Sequence, residues 1–495
     1  MPKSQKYTTA KFVHLAISLF LMFIFGRICP TWGPVTRLGV EAIGIFLGGV
    51  WMIAQGFGMV PPSLLIMFAI VLTGFQSGKE IITATLGSET VWQLIIIFVV
   101  LYALTESGAD AVLARKMISS KALNGKPVLF TVVFFIAMTA LGALASALGA
   151  YMFSIAMINS IAEVAGYDNK SQWKKAMYTG AIITSSAGGG ILPFKGMALM
   201  IFNLLKGDEK SGLLAAGVQI DQVSYMITAI IAGLLIAIAM GFAVGTLFKA
   251  DMSKLKVVDV AAITSQGGTK FNKRQTWTLI LFVIGVLYSI VMIWYPKTAA
   301  SYPLVNSIGQ GFWFVLMAVL MFFIHIDGEP LLNLDRSMGK AVNWGIVLAV
   351  CAFTAVGMMV SNRELGVQTW LSGIMNSLFG NMPYPLFVIV LVLLTLILTN
   401  VFSNTATAVI IGTVVGPILI NFGKAGINVS AVIPGIVISA LCAFFTMAAG
   451  GSSPLFLGTD TMQDDPKWIL KWGLWVFPIV TISSSIAYIL CGYIL

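Results

Sequence analysis

Ser403, Asn404 and Thr405 place two hydroxyls and an amide side by side inside residues 386–422, a tract that carries no charge. Groups of this kind offer oxygen to a cation and N–H or O–H donors to a carboxylate at the same time. Helix capping and helix–helix hydrogen bonding in a membrane use the same residue types, so the surroundings have to decide. Downstream, residues 446–454 read TMAAGGSSP, with glycines, small hydroxyls and a proline in the middle of an apolar run. Such a segment weakens a membrane helix where its backbone could least easily find water. An earlier copy stands at residues 184–193, TSSAGGGILP, with Lys195 just beyond it. Paired interruptions at matching places in two halves of a hydrophobic chain point to a small solute held between broken helices.

Lys195 is the sharpest single residue. A lysine near the bilayer centre costs about 3 kcal/mol on insertion scales, so it is paired, faces water or is functional. In one reading its ammonium stands where a bound cation would and attracts an anionic solute. In the other it snorkels to an interface or pairs with a carboxylate. No carboxylate falls within either glycine-rich segment, which speaks against a carboxylate-centred cation antiporter and for an anion. A membrane enzyme would need clustered His, Cys or acidic residues, or a phosphate-binding loop. The chain offers two histidines, His14 and His325, near expected membrane edges. Its four cysteines, Cys29, Cys351, Cys442 and Cys491, are scattered without metal-site or disulfide spacing. The expectation is a non-enzyme, and closing hairpins fit alternating access better than a passive channel.

A membrane framework must position these groups. The chain has 495 residues, 58% hydrophobic and 10% charged, against about 25% charged in soluble domains. Its mean hydropathy is +0.95. Apolar runs cover residues 12–28, 40–54, 63–75, 91–104, 226–248, 277–294, 312–326, 342–360 and 472–494. Tracts 128–165 and 386–422 are each about twice the length one span requires, so each reads as a helical hairpin. The first run lacks a small-residue cleavage site and reads as a retained span. Net charge +10 is read by location: with the amino terminus in the cytoplasm, most of the 29 Lys and Arg fall on the inner side. The basic stretch 249–276 is then a cytoplasmic linker and a topology signal, not a nucleic-acid site. Glu106 and Asp110, spaced i and i+4 near Arg115 and Lys116, read as a charge cluster on one helix face, and Glu364 with Arg363 as its outer counterpart.

Three landmarks recur in one order at nearly constant separation: Glu106-x-Gly108 with Glu364-x-Gly366, residues 146–150 with 403–407, and the two glycine-rich segments. The chain reads as duplicated, and about five crossings per half make the halves enter from opposite sides. The expected fold class is an all-α polytopic membrane protein of about 11 transmembrane helices, in two inverted repeats with two re-entrant helical hairpins and two broken helices. The boundaries are a leading helix at 1–37, a first repeat at 38–248 (hairpin 128–165, broken helix 174–205), the linker 249–276, and a second repeat at 277–495 (hairpin 386–422, broken helix 431–460).

A Ser-Asn-Thr hairpin tip followed by a glycine-rich, proline-containing break, repeated in two halves, resembles the divalent anion/sodium symporter family of the ion transporter superfamily. The resemblance covers roughly residues 91–492 and is closer in the second half. It implies a homodimer with a scaffold and a moving transport domain, and a sodium ion as the one inorganic candidate, with no organic cofactor. It assigns Ser403, Asn404, Thr446, Gly450 and Gly451 to a sodium site, and Asn404, Thr405, Ser453 and Pro454 to the substrate. The first half departs from the pattern, reading Ser146-Ala147-Leu148 at the tip and Leu192-Pro193-Phe194-Lys195 at the break. Ser146, Gly188 and Gly189 then form a degenerate ion site, and Ser146, Ser186 and Lys195 complete the substrate residues. Loss of ion ligands and gain of a positive charge fall in the same half, which favours the functional reading of Lys195.

The expected function is secondary transport of small di- or tricarboxylate-like anions, either sodium-coupled with one degenerate site or by anion exchange with Lys195 in place of a cation. A sulfate or oxyanion carrier, or another member of the ion transporter superfamily, is the alternative. The expected setting is the inner cell membrane, with lipid and a small anion as partners, the amino terminus cytoplasmic and the carboxyl terminus outside.

Overall fold

The computed structural model describes residues 9–207, 212–257, 259, 263, 268–295, 298–360, 362–379, 382–400, 403–446, 452–465 and 467–495. Helices dominate it. The leading helix α1 (Thr9–Ile28) is followed by α2 (Arg37–Ala54) and α3 (Val60–Thr73). Next come α4 (Glu89–Ser107), α5 (Ala109–Ile118), α6 (Pro127–Leu144), α7 (Ala147–Ala165), α8 (Gln172–Gly189), α9 (Gly196–Lys206) and α10 (Gln222–Gly245). The second half holds α11 (Lys273–Trp294), α12 (Tyr302–Phe323), α13 (Leu334–Ala341), α14 (Trp344–Val360) and α15 (Val367–Phe379). It closes with α16 (Tyr384–Thr399), α17 (Asn404–Lys424), α18 (Ile433–Leu441), α19 (Ser453–Leu457) and α20 (Val476–Ile494).

Among the described residues, six helices are long and apolar enough to cross a membrane, and the pairs α4/α5 and α13/α14 are bent by 60° and 63°. This is an all-α polytopic membrane protein. The one described two-stranded ribbon, His325–Ile326 with Glu329–Pro330, turns through Asp327 and Gly328, both at positive φ, as a tight hairpin demands. His325 lies exposed there, and His14 packs on Trp51.

The bend between α4 and α5 corrects one expectation. Gly108 sits at φ 71°, a left-handed conformation that ends α4, so Glu106 and Asp110 do not share one helix face. Glu106 instead faces Arg336 of the second half at 3.5 Å, and Asp110 is buried at the start of α5.

Small residues let α6 and α8 pack backbone to backbone. A Cβ at Gly142 would strike the Ser185 carbonyl, and one at Gly188 would strike the Thr139 carbonyl. Close approach of this kind is how membrane helices gain packing energy without a hydrophobic drive between them. Further contacts between described residues join the halves. Near the start of α8, Lys175 Nζ meets Asp465 Oδ2 at 2.8 Å, and Trp468 Nε1 donates to Gln172 Oε1 at 2.8 Å. At the start of α10, the Asp221 amide donates to Ser430 Oγ at 3.1 Å, and Asn428 Nδ2 donates to Ser224 Oγ at 2.9 Å.

Candidate substrate site

Helix α6 stops at Leu144, the chain kinks at Ala145, and Ser146 caps α7 by accepting from the Gly149 amide at 2.9 Å. A helix that ends this way leaves its last carbonyls without intrahelical donors. Lys195 supplies them. Its Nζ donates to the carbonyls of Gly142 at 3.0 Å, Ala143 at 2.9 Å and Ala145 at 2.7 Å. An ammonium has three N–H donors, so this set uses all of them. The negative end of a helix favours a cation in any case. What reaches the surrounding space is therefore the positive charge of Lys195 rather than a free N–H.

Lys195 arrives there because α8 breaks. Gly189 is the last residue of α8, Leu192 accepts from the Lys195 amide at 3.1 Å, and Gly196, at φ 46°, starts α9. The broken stretch is not left bare, since Tyr225 Oη on α10 donates to the Gly190 carbonyl at 2.7 Å. In the second half α16 ends at Thr399 and α18 at Leu441. There Asn400 Oδ1 accepts from the amides of Phe444 at 3.0 Å and Phe445 at 2.7 Å, while its Nδ2 donates to the Leu396 carbonyl at 2.7 Å. Thr446 Oγ1 donates back to the Asn400 carbonyl at 2.7 Å.

A cavity of about 450 Å³ lies where these parts meet, and Ala145, Ser146, Gly189, Lys195, Thr405 and Leu441 line it. Both hairpin tips and both interrupted helices thus contribute to one space. The starts of α7, α9 and α17 reach it through Ala147, Gly196 and Thr405. Helix N-termini carry unsatisfied N–H groups and partial positive charge, which suit an anion. Tyr102 and Thr105 of α4 and Asn343 ahead of α14 complete the polar lining. Asp110 makes no direct ion pair with Lys195 among the described residues.

The remaining candidates sit as follows. Ser403 caps α17 by accepting from the Ala406 amide at 3.2 Å, and Asn404 Oδ1 accepts from Thr399 Oγ1 at 3.1 Å. Buried Ser453 donates to the Ala443 carbonyl at 3.0 Å. Pro454 lies in α19, one residue further on. Ser186 is buried within α8, and Gly188 faces α6 with its carbonyl taken by the Ile191 amide at 3.1 Å. Gly450 and Gly451 lie outside the described residues. The oxygens of Ser403, Asn404 and Thr446 are hard, neutral donors of the kind a sodium ion takes.

Sequence reasoning missed Asn400, the residue that ties the second hairpin to the second break. Its signal was a lone amide closing an apolar run, hidden by the more conspicuous Ser-Asn-Thr beside it.

Two solved structures share this architecture. The Alcanivorax borkumensis YdaH transporter aligns with TM-score 0.53 at 13% identity, over 90% of this chain and 97% of its own. Neisseria gonorrhoeae MtrF, described as an antimetabolite efflux pump, aligns with TM-score 0.55 at 13% identity, over 97% of this chain and 98% of its own. The fold is that of polytopic membrane transporters. A curated relative, the sodium-dependent dicarboxylate transporter SdcS of Staphylococcus saprophyticus, is 23% identical across 100% of this chain and 93% of its own length. The citrate transporter family model, CitMHS, matches residues 49–441, and the chain belongs to that family, within the divalent anion/sodium symporter group of the ion transporter superfamily. It is a secondary transporter and not an enzyme.

Proposed function

We propose that this transporter moves a small di- or tricarboxylate by alternating access, binding it in the 450 Å³ cavity between the hairpin tips and the broken helices. One observation carries the reading: the Lys195 ammonium occupies a nest of three carbonyls at the first tip, with distances of 2.7–3.0 Å, and lines the same cavity as Thr405 of the second tip. A built-in cation there does the work of a bound ion in the first half. In the second half Ser403, Asn404 and Thr446 offer neutral oxygens for an exchangeable sodium ion. Substrate carboxylates are held by the Thr405 hydroxyl, the α7 and α17 N-termini and the field of Lys195. The protein is oriented with its amino terminus in the cytoplasm of the inner membrane, and it works as a homodimer of inverted-repeat protomers. The relative's name supports the dicarboxylate and sodium parts of this reading.

Uptake into proteoliposomes tests it. Internal dicarboxylate should drive uptake of labelled dicarboxylate, with at most one sodium ion per cycle. Strict dependence on two sodium ions, or transport of sulfate in preference to carboxylates, would refute it.

A further inference from the structure

The far end of α9 has a cavity of its own. Lys195 precedes the first residue of α9 and Lys206 is its last, about 16 Å further on at 1.5 Å per residue. Around Lys206 lies a second space of about 240 Å³, lined by Ser88, Asn203, Lys206 and Thr354 among others. It stands back to back with the first. On α14, Ala349 lines one cavity and Val350 the other; on α9, Met200 lines one and Asn203 the other. A single turn of helix separates them.

The lining of the second space has a definite chemistry. Lys206 is exposed, and it is the one charged side chain among the described lining residues. It makes no hydrogen bond or ion pair to another described residue. Ser88 caps α4, its Oγ accepting from the Val91 amide at 3.3 Å, and α4 begins with the acidic Glu89, which offsets the dipole at that end. Thr354 and Asn203 are half-buried and add a hydroxyl and an amide. A lysine, together with the neutral polar groups of Asn203 and Thr354, around this space makes a receptor for one carboxylate.

We infer that this vestibule is an entry site, where a carboxylate docks on Lys206 on the side of the membrane opposite the Lys195 cavity before passing the α9/α14 partition. Its role in entry rests on the transport reading above, whereas docking does not.

The test reads docking without transport. Thr354→Cys is made in a Cys29→Ser background, reconstituted, and treated with impermeant anionic or cationic methanethiosulfonates of similar size. The anionic reagent should react about tenfold faster, as expected for steering by a nearby charge in a cleft. Malonate should slow that reaction, and Ala341→Cys, which lines the Lys195 cavity, should react from the opposite side. Lys206→Gln should erase the charge preference and Lys206→Arg should keep it. A preference that survives Lys206→Gln, no protection by malonate, or a Thr354→Cys that neither reagent reaches would overturn the site. Absent uptake with the charge preference intact sinks the transport reading alone.

Discussion

At the tip of the first hairpin the backbone presents carbonyl oxygens, and the broken helix answers with the three N–H donors of Lys195. At the second junction the broken helix presents the N–H groups of Phe444 and Phe445, and the hairpin answers with the amide oxygen of Asn400. Each junction satisfies backbone groups that lipid would leave stranded at several kcal/mol apiece. The donors and acceptors have changed sides, and with them the charge. A tethered ammonium cannot leave the first junction as a bound ion could. Asn400 is neutral and adds no charge to the second junction.

The most damaging way to break this contrast is to remove the tether. Lys195→Ala leaves three carbonyls without a donor, each costing about 1–3 kcal/mol when buried. Substrate-induced thermal stabilisation should vanish and uptake should fall to background. Lys195→Ser sharpens the comparison, because it opens the carbonyl nest to water and ions and makes the first junction resemble the second. Substrate binding by Lys195→Ser should reappear at high sodium and not at equal potassium. Binding by Lys195→Ala that equals the parent protein at low salt would show that the charge does nothing for the anion.

Asn400→Leu attacks the other junction. Two amides, those of Phe444 and Phe445, lose their acceptor, for about 2–6 kcal/mol in all. The melting temperature in detergent should drop by several degrees, and the sodium-dependent part of substrate binding should weaken more than the sodium-independent part. An equal loss in both would mean that Asn400 only holds the fold.

How far these junctions could be read in advance differs for definite reasons. Composition and apolar run length declare a polytopic helical protein, because a bilayer tolerates little else. Glycine, hydroxyl and proline content marks the stretches near residues 190 and 446, since those residues weaken helices wherever they occur. Lys195 stands out as a charge in apolar surroundings. Its partners could not stand out, because Gly142, Ala143 and Ala145 act through backbone carbonyls that every residue has. Asn400 is an amide whose importance depends on which N–H groups the fold brings beside it. The pairing of Glu106 with Asp110 misled because a spacing of four implies one face only if the helix is continuous, and Gly108 ends it.

Adjacent glycines in the first break allow a finer cut. A methyl on Gly188 drives into the Thr139 carbonyl of α6, whereas one on Gly189 meets the Ala147 side chain at 3.3 Å beside the cavity. Gly188→Ala should therefore cost about 1–3 kcal/mol by overpacking, seen as a lower melting temperature with little change in substrate affinity once folded. Gly189→Ala should melt close to the parent and change affinity instead. Reversal of that order would place the tight helix contact and the binding surface on the opposite glycines.

The smallest effect is expected where the halves are clasped at the start of α8. Lys175 is nearly buried, yet its partner Asp465 is 44% exposed, so water screens the pair and reduces its value. Lys175→Met keeps the aliphatic stem packed and removes the charge, which should lower stability by about 1 kcal/mol and leave binding untouched. Asp465→Asn should cost slightly more, because it strands the less exposed lysine. If both variants also slow transport while binding stays intact, the clasp makes and breaks during the cycle. A change in stability alone means that α8 and the segment around Asp465 travel together.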